Sequence, residues 1–96
     1  MKLLSVEKSS KPDKKYMATF ELDSGRRKTT HFGSAGMDDY TLTKDKEARE
    51  RYRDRHRKDL ETNDPTRAGY LSWFILWGPY TSVSQNVEYF KRKYNL

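Results

Sequence analysis

The residues best placed to do chemistry sit in one stretch, "THFGSAGMDDYT" at residues 30–41, where His31 precedes two glycines and two aspartates follow them. Gly33 and Gly36 beside the basic run "RRK" (Arg26, Arg27, Lys28) suggest a phosphate cradle. A phosphate loop, however, runs from its glycines into Gly-Lys-Ser/Thr at a helix start. Here the glycines lead into "MDDYT", and two carboxylates repel a phosphate, so that chemistry is excluded. A second option is a metal. His31, Asp38 and Asp39, joined by Asp45 or His56, would give a nuclease-like set of imidazole and carboxylate ligands, although their spacing matches no established motif. A third is a small concavity of backbone amides at residues 33–36, able to hold an anion. The plainest reading is a corner. The glycines turn the chain out of a strand, Asp38 or Asp39 caps a short turn, and Tyr40 tucks its ring under the sheet.

The next chemically dense segment is "KDKEARERYRDRHRKD". On a helix, Arg49, Arg53 and Arg57 form one ridge at four-residue spacing, with Lys46 a turn earlier and slightly off it. Such a row can span successive phosphates along a groove edge. Arg51, Arg55 and Lys58 lie on neighbouring faces. Five acids are interspersed between Asp45 and Asp59, so the competing reading is a solvated helix held by its own ion pairs. Ala48, Tyr52, His56 and Leu60 make a thin, less charged stripe, on which His56 is expected to pack and donate to a backbone carbonyl. Trp73 and Trp77 are four apart; core packing is favoured over a stacking platform for bases. The basic end Lys91, Arg92, Lys93 suits a helix C-terminus and could also touch phosphate. No nucleophile–base pair, no His-Glu-x-x-His and no paired zinc ligands occur, and no cofactor is implied.

The elements that must position these groups follow from pattern. "KLLSVEK" reads as a strand and "SSKPD" as a turn. "KKYMATFEL" alternates, with Tyr16, Ala18, Phe20 and Leu22 on one face. "DSG" is a hairpin turn, and "RRKTTHF" a third strand with Lys28, Thr30 and Phe32 on the core side and Arg27, Thr29 and His31 on the other. Thr43 or Asp45 can cap a helix to about residue 60. Asp64 as cap with Pro65 at the first helical position starts a second helix, and Ser82 with Gln85 forms a capping box for a third. The expected fold is α+β in a single domain, 1–96: a three-stranded antiparallel meander at about 2–33, then three helices at about 44–60, 65–77 and 83–94. The aromatic second helix is the expected centre of the core.

Composition bounds the function classes. The 96 residues include no cysteine, so disulfides and thiolate metal sites are excluded. Net charge is +6 and the pI about 9.6, with the excess concentrated in residues 1–30. A basic surplus favours polyanionic partners. The longest apolar run, "YLSWFILW", is too short to span a bilayer, which predicts a soluble intracellular protein without membrane contact.

"HFGSAGMDDYT", "KDKEARERYRDRH" and "AGYLSWFILWG" together resemble an uncharacterised family of small basic proteins from large DNA viruses of algae and protists and related environmental viral genomes. The resemblance runs from about Tyr16 to Leu96 and rests on His31-Phe32-Gly33, Asp39-Tyr40-Thr41, Arg51-Tyr52, Arg55-His56 and the Trp73 to Trp77 helix. It implies a viral or virus-derived origin, a host-cell or virion location and no known activity. It also suggests that His31, Asp39 and Tyr40 meet Arg51, Arg55 and His56 in space, as a polar site or as a hydrogen-bonded lock between the meander and the first helix.

The leading functional expectation is a non-enzymatic accessory protein that binds DNA or RNA without sequence preference. Arg26, Arg27, Lys28, Arg49, Arg53, Arg57, Lys91, Arg92 and Lys93 are the expected phosphate contacts. The alternative is a structural or protein-interaction module, such as a virion component or adaptor; the third is the metal-dependent nuclease.

Overall fold

The computed structural model describes all of residues 1–96. Three strands, β1 (Lys2–Lys8), β2 (Lys14–Glu21) and β3 (Arg27–Ser34), form an antiparallel sheet in the order β1-β2-β3. Four helical elements follow: α1 (Tyr40–Thr43), α2 (Lys46–His56), α3 (Ala68–Leu71) and α4 (Val83–Tyr94). This is the expected α+β order of meander, then helices, with α1 as an extra short turn.

The sheet register is set by its buried face. Tyr16 opposes Phe32 and Ala18 opposes Thr30 across β2–β3, while Leu3 opposes Phe20 across β1–β2. Ala18, Phe20 and Phe32 are fully buried. Period-two alternation sends Met17, His31, Thr19 and Thr29 to the other side, where those pairs also oppose one another. A register shift between Leu3 and Ser5 leaves Leu4 exposed.

The second half of the chain closes the core. Leu71, Ile75 and Phe90 are fully buried against the sheet residues in one cluster with Tyr70, Trp73, Phe74 and Leu76. Seven of the eleven members of that cluster lie between residues 70 and 90, so the meander has no sufficient core of its own. Phe74 sits among Tyr70, Phe90 and Tyr94 with ring centroids 5.3–5.6 Å apart, spacings at which aromatic pairs attract beyond their buried area. Tyr94 donates to the Tyr70 hydroxyl at 3.0 Å. Burial, and then the bond to Tyr70, push the Tyr94 phenol well above its ordinary range.

Three local expectations need correction. The second helix starts at Ala68, not Pro65. Asp64 accepts instead from the Thr66 amide (3.0 Å) and hydroxyl (2.7 Å), closing a turn rather than capping a helix. These bonds, the hydroxyl's first, hold the Asp64 carboxyl below its usual value. The turn is tied to the sheet: buried Thr66 takes a bond from Thr30 to its carbonyl (2.7 Å) and one from Lys28 to its hydroxyl (2.9 Å). Second, α2 ends at His56 and continues as a 3₁₀ turn, Arg57–Thr62, stopped by left-handed Asn63. Third, α3 widens into a π-helical turn, Ser72–Leu76, in which the Trp77 amide bonds back to the Ser72 carbonyl at 3.0 Å. Trp73 to Leu76, four consecutive residues of this turn, are all buried.

The end of that wide turn explains the glycine at 78. A Cβ there would stand 2.1 Å from the Phe74 carbonyl oxygen and 2.8 Å from Asn86 Oδ1. Fully buried Asn86 reaches across from α4, donating to the Ile75 (2.9 Å) and Tyr80 (2.8 Å) carbonyls and accepting from the Tyr80 amide (2.9 Å). The Ser82 cap on α4 is as expected, with its hydroxyl accepting from the Gln85 amide at 3.3 Å.

Candidate functional site

The stretch at 30–41 is a corner, and a corner with one wall of a groove. β3 turns out of the sheet at Gly33 (φ +77°), and a Cβ there would meet Leu76 Cδ1 at 2.7 Å and Lys15 Cβ at 3.2 Å. Only glycine allows the strand end to approach the π turn this closely. The Ala35 amide donates to the Asp13 carbonyl (3.0 Å) and the Met37 amide to the Ser34 carbonyl (3.2 Å). The first of those bonds consumes the Ala35 amide, one of those that the anion concavity at residues 33–36 would need. Asp39 then caps α1: it is 2% exposed and accepts from the Thr41 amide (2.8 Å) and hydroxyl (2.5 Å) and from Lys15 Nζ (2.5 Å). Tyr40 is buried beside the Arg49 guanidinium, 5.6 Å from its ring centre, and stands outside the main core cluster.

Between this corner and the helices lies a groove of about 640 Å³. Phe32, Gly33, Gly36, Met37, Asp38 and Asp39 form the corner side; Tyr52, Arg55 and His56 from α2 and Ala68, Ser72, Leu76 and Trp77 face them; Lys14 and Lys15 stand at the start of β2. Along the helical wall runs a three-ring stack. Tyr52 lies 4.4 Å and 6° from Trp77 and 4.2 Å and 22° from His56, so Tyr52 is the middle ring. Its burial in the stack, and then the nearby Asp59 charge, push its phenol up to about 12, against weaker opposing effects of Ser72 and Arg55.

The sequence-derived polar site is therefore half assembled. Asp39, Arg55 and His56 share the groove, whereas His31, Tyr40 and Arg51 do not line it. His31 sits on the opposite sheet face and pairs its Nδ1 with the Ser9 hydroxyl at 2.7 Å. His56 does not donate to a carbonyl as expected; its Nδ1 lies 3.2 Å from Asp59 Oδ2 and its ring covers Tyr52. Trp73 is core, as expected, while half-buried Trp77 closes the stack. The metal reading loses its geometry: His31 is held by Ser9, Asp39 by Lys15 and His56 by Asp59, and no three His, Asp or Glu side chains stand close enough to share an ion.

The arginine ridge also divides. Arg49 Nε donates to the carbonyls of Trp77 (3.2 Å) and Gly78 (2.8 Å), and Arg53 donates to Trp77 (3.0 Å) while its guanidinium lies 4.3 Å above the Trp73 ring. These two residues cap the open carbonyl end of the π turn, where partial negative charge collects. Burial, and then the neighbouring Arg49 charge, lower the Arg53 pKa. The expected phosphate-binding ridge is thus reduced to Arg57, which is exposed and pairs with Asp54 at 3.3 Å. Of the other expected contacts, Arg26, Arg27, Arg92 and Lys93 are exposed, Lys28 is tethered to Thr66, and Lys91 is half-buried.

Sequence comparison bears on the same part of the molecule. Residues 4–56 match the model of a family described as "Family of unknown function (DUF5754)". The chain belongs to that family. The match stops at the end of α2, short of the Leu96 limit of the resemblance noted above. The family segment carries the corner, Tyr52, Arg55 and His56, while the Trp77 side of the groove and most of the core lie beyond it. Neither a curated protein nor a solved structure matches the chain. No helix is long and apolar enough to cross a membrane.

Proposed function

We propose that the chain is a non-enzymatic nucleic-acid-binding accessory protein that holds the phosphate backbone without reading sequence. The observation that carries this is an excess of exposed cations with no acidic partner: Arg26, Arg27, Arg51, Arg55, Arg92 and Lys93 form no ion pair. Asp39, Asp54, Asp59 and Asp64 are already occupied by Lys15, Arg57, His56 and Arg67. The contact set is revised accordingly. Arg49 and Arg53 leave it for a structural role, and the exposed Arg51 and Arg55 of α2 replace them. The resemblance to proteins of large DNA viruses supports a viral origin, with work in the host cell or on packaged nucleic acid.

A second reading, a protein-interaction module, is favoured by Met37 and Leu42, each 64% exposed on the corner and α1. Salt separates the two. Displacing condensed counterions makes phosphate binding fall steeply with salt, roughly 10³-fold between 50 and 200 mM for about six contacts. Fluorescence anisotropy with random-sequence duplex DNA, single-stranded DNA and RNA across a salt series is expected to give that slope. Absence of binding to all three at low salt would leave the protein-interaction reading.

A further inference from the structure

The groove beside the corner has the chemistry of a pocket for one flat aromatic group joined to an anion. Its volume of about 640 Å³ lies in the range of small-ligand clefts, roughly 300–1,000 Å³. One wall is the Trp77–Tyr52–His56 stack. Both faces of Tyr52 are covered, so the stack can grow only at its ends. One end is the His56 ring, whose side chain is 42% exposed. The charges around it are unequal. The Lys15–Asp39 pair is neutral overall, while Lys14 and Arg55 make no ion pair or side-chain hydrogen bond; of the carboxylates nearby, Asp38 is free and Asp59 is engaged by His56 Nδ1 at 3.2 Å. An aromatic ring stacked at the end of the ladder therefore has two unspent cations nearby for an attached phosphate.

We propose that this groove takes a single unstacked nucleobase together with its phosphate. Base–aromatic stacking tolerates any base because every base has a π face. A groove built on stacking with two point cations therefore selects single-stranded over duplex nucleic acid without selecting sequence. The proposal deepens the nucleic-acid reading and rests on it for the physiological source of the nucleotide. A nucleotide within a strand and a free nucleotide present the same groups.

The test is an amide and indole NMR titration of the whole chain with adenosine 5′-monophosphate and, separately, with a single-stranded pentanucleotide. Shifts are expected at residues 33–39, 52–56 and 72–77, with the Trp77 indole moving and the Trp73 indole, sealed in the core, unmoved. Arg55→Gln and His56→Ala are each expected to weaken binding about tenfold, the loss of one stacking or charge contact. Neither residue is buried, so the folded spectrum serves as the control. A response to the pentanucleotide alone assigns the groove to a strand; a response to both means that a nucleotide suffices. Shifts confined to residues 26–28 and 91–93, or none with either ligand, overturn the proposal. Duplex binding with a silent groove would leave the phosphate-contact reading standing while the groove proposal falls. Nucleotide shifts in the groove with no binding of any polymer would do the reverse.

Discussion

Two sets of arginines on one helix, two residues apart, have opposite fates. Arg49 and Arg53 turn inward from α2 and donate to the Trp77 and Gly78 carbonyls; Arg51 and Arg55 stay exposed, Arg55 at the edge of the groove, and meet no acidic partner. All four have the same side chain, and all lie among the same acids in sequence. What separates them is the partner across the helix. A π-helical turn ends with carbonyls that have no continuation, and a guanidinium fork can serve several of them while its stem covers apolar surface. α2 accordingly docks with no fully buried residue, through half-buried Ala48, Tyr52, His56 and the two arginines. A basic helix is not by itself a binding face; the arginines that lack carbonyl partners are the ones that the proposed phosphate contacts would use.

The comparison can be broken first on its inward side. Arg49→Ala together with Arg53→Ala removes charged donors from partly buried carbonyls, each costing about 1.5–3 kcal/mol. Together that is about 3–6 kcal/mol, which for a domain of this size lowers the melting temperature by at least roughly 12 °C. Thermal unfolding followed by circular dichroism checks this; a fall of only a degree or two would mean that the inward pair is not structural.

A smaller effect sharpens the role of the stack that these arginines hold in place. The Tyr52 phenol ionises near 12 in the folded protein and near 10 when unfolded. Between those values the unfolded chain has lost the proton and the folded chain has kept it. Stability linked to Tyr52 is thus fully present below pH 10 and is lost as pH rises through about 12. Tyr52→Phe is expected to change stability little at pH 7 and to flatten the decline above pH 10, with Tyr94 supplying what remains. Urea unfolding at pH 8 and 11 reads the difference. An unaltered decline in the variant would show that Tyr52 is not sealed within the stack.

The sheet and the outer ends of the helices were legible because their determinants are local. Alternation of Tyr16, Ala18 and Phe20, the turn at Gly25 and the Asp45 and Ser82 caps each act within a few residues. The corner was legible for the same reason, although only the structure decides between Asp38 and Asp39 as its cap, in favour of Asp39. The wide turn at Ser72–Leu76 was not, since its stability comes from Arg49, Arg53 and Asn86, which lie far away in sequence. Asp64-Pro65 imitates a helix start, and only the neighbouring Thr66, bonded to β3, diverts it into a turn. The same holds for the site. Spacing placed Tyr52 and His56 on one stripe, but their stack with Trp77 depends on where α3 ends. His31 looked like a partner for Asp39; strand alternation sends it to the opposite face beside Ser9.

The most direct test compares the exposed pair with the wild-type chain. Single-stranded DNA binding is measured by anisotropy from 25 to 300 mM salt for the wild type and for Arg51→Gln/Arg55→Gln, with melting temperatures in parallel. The account predicts an unchanged melting temperature, weaker binding, and a slope of log K against log salt shallower by about 1.4, the loss of two single-strand phosphate contacts. Equal affinity and equal slope in the two proteins would contradict it.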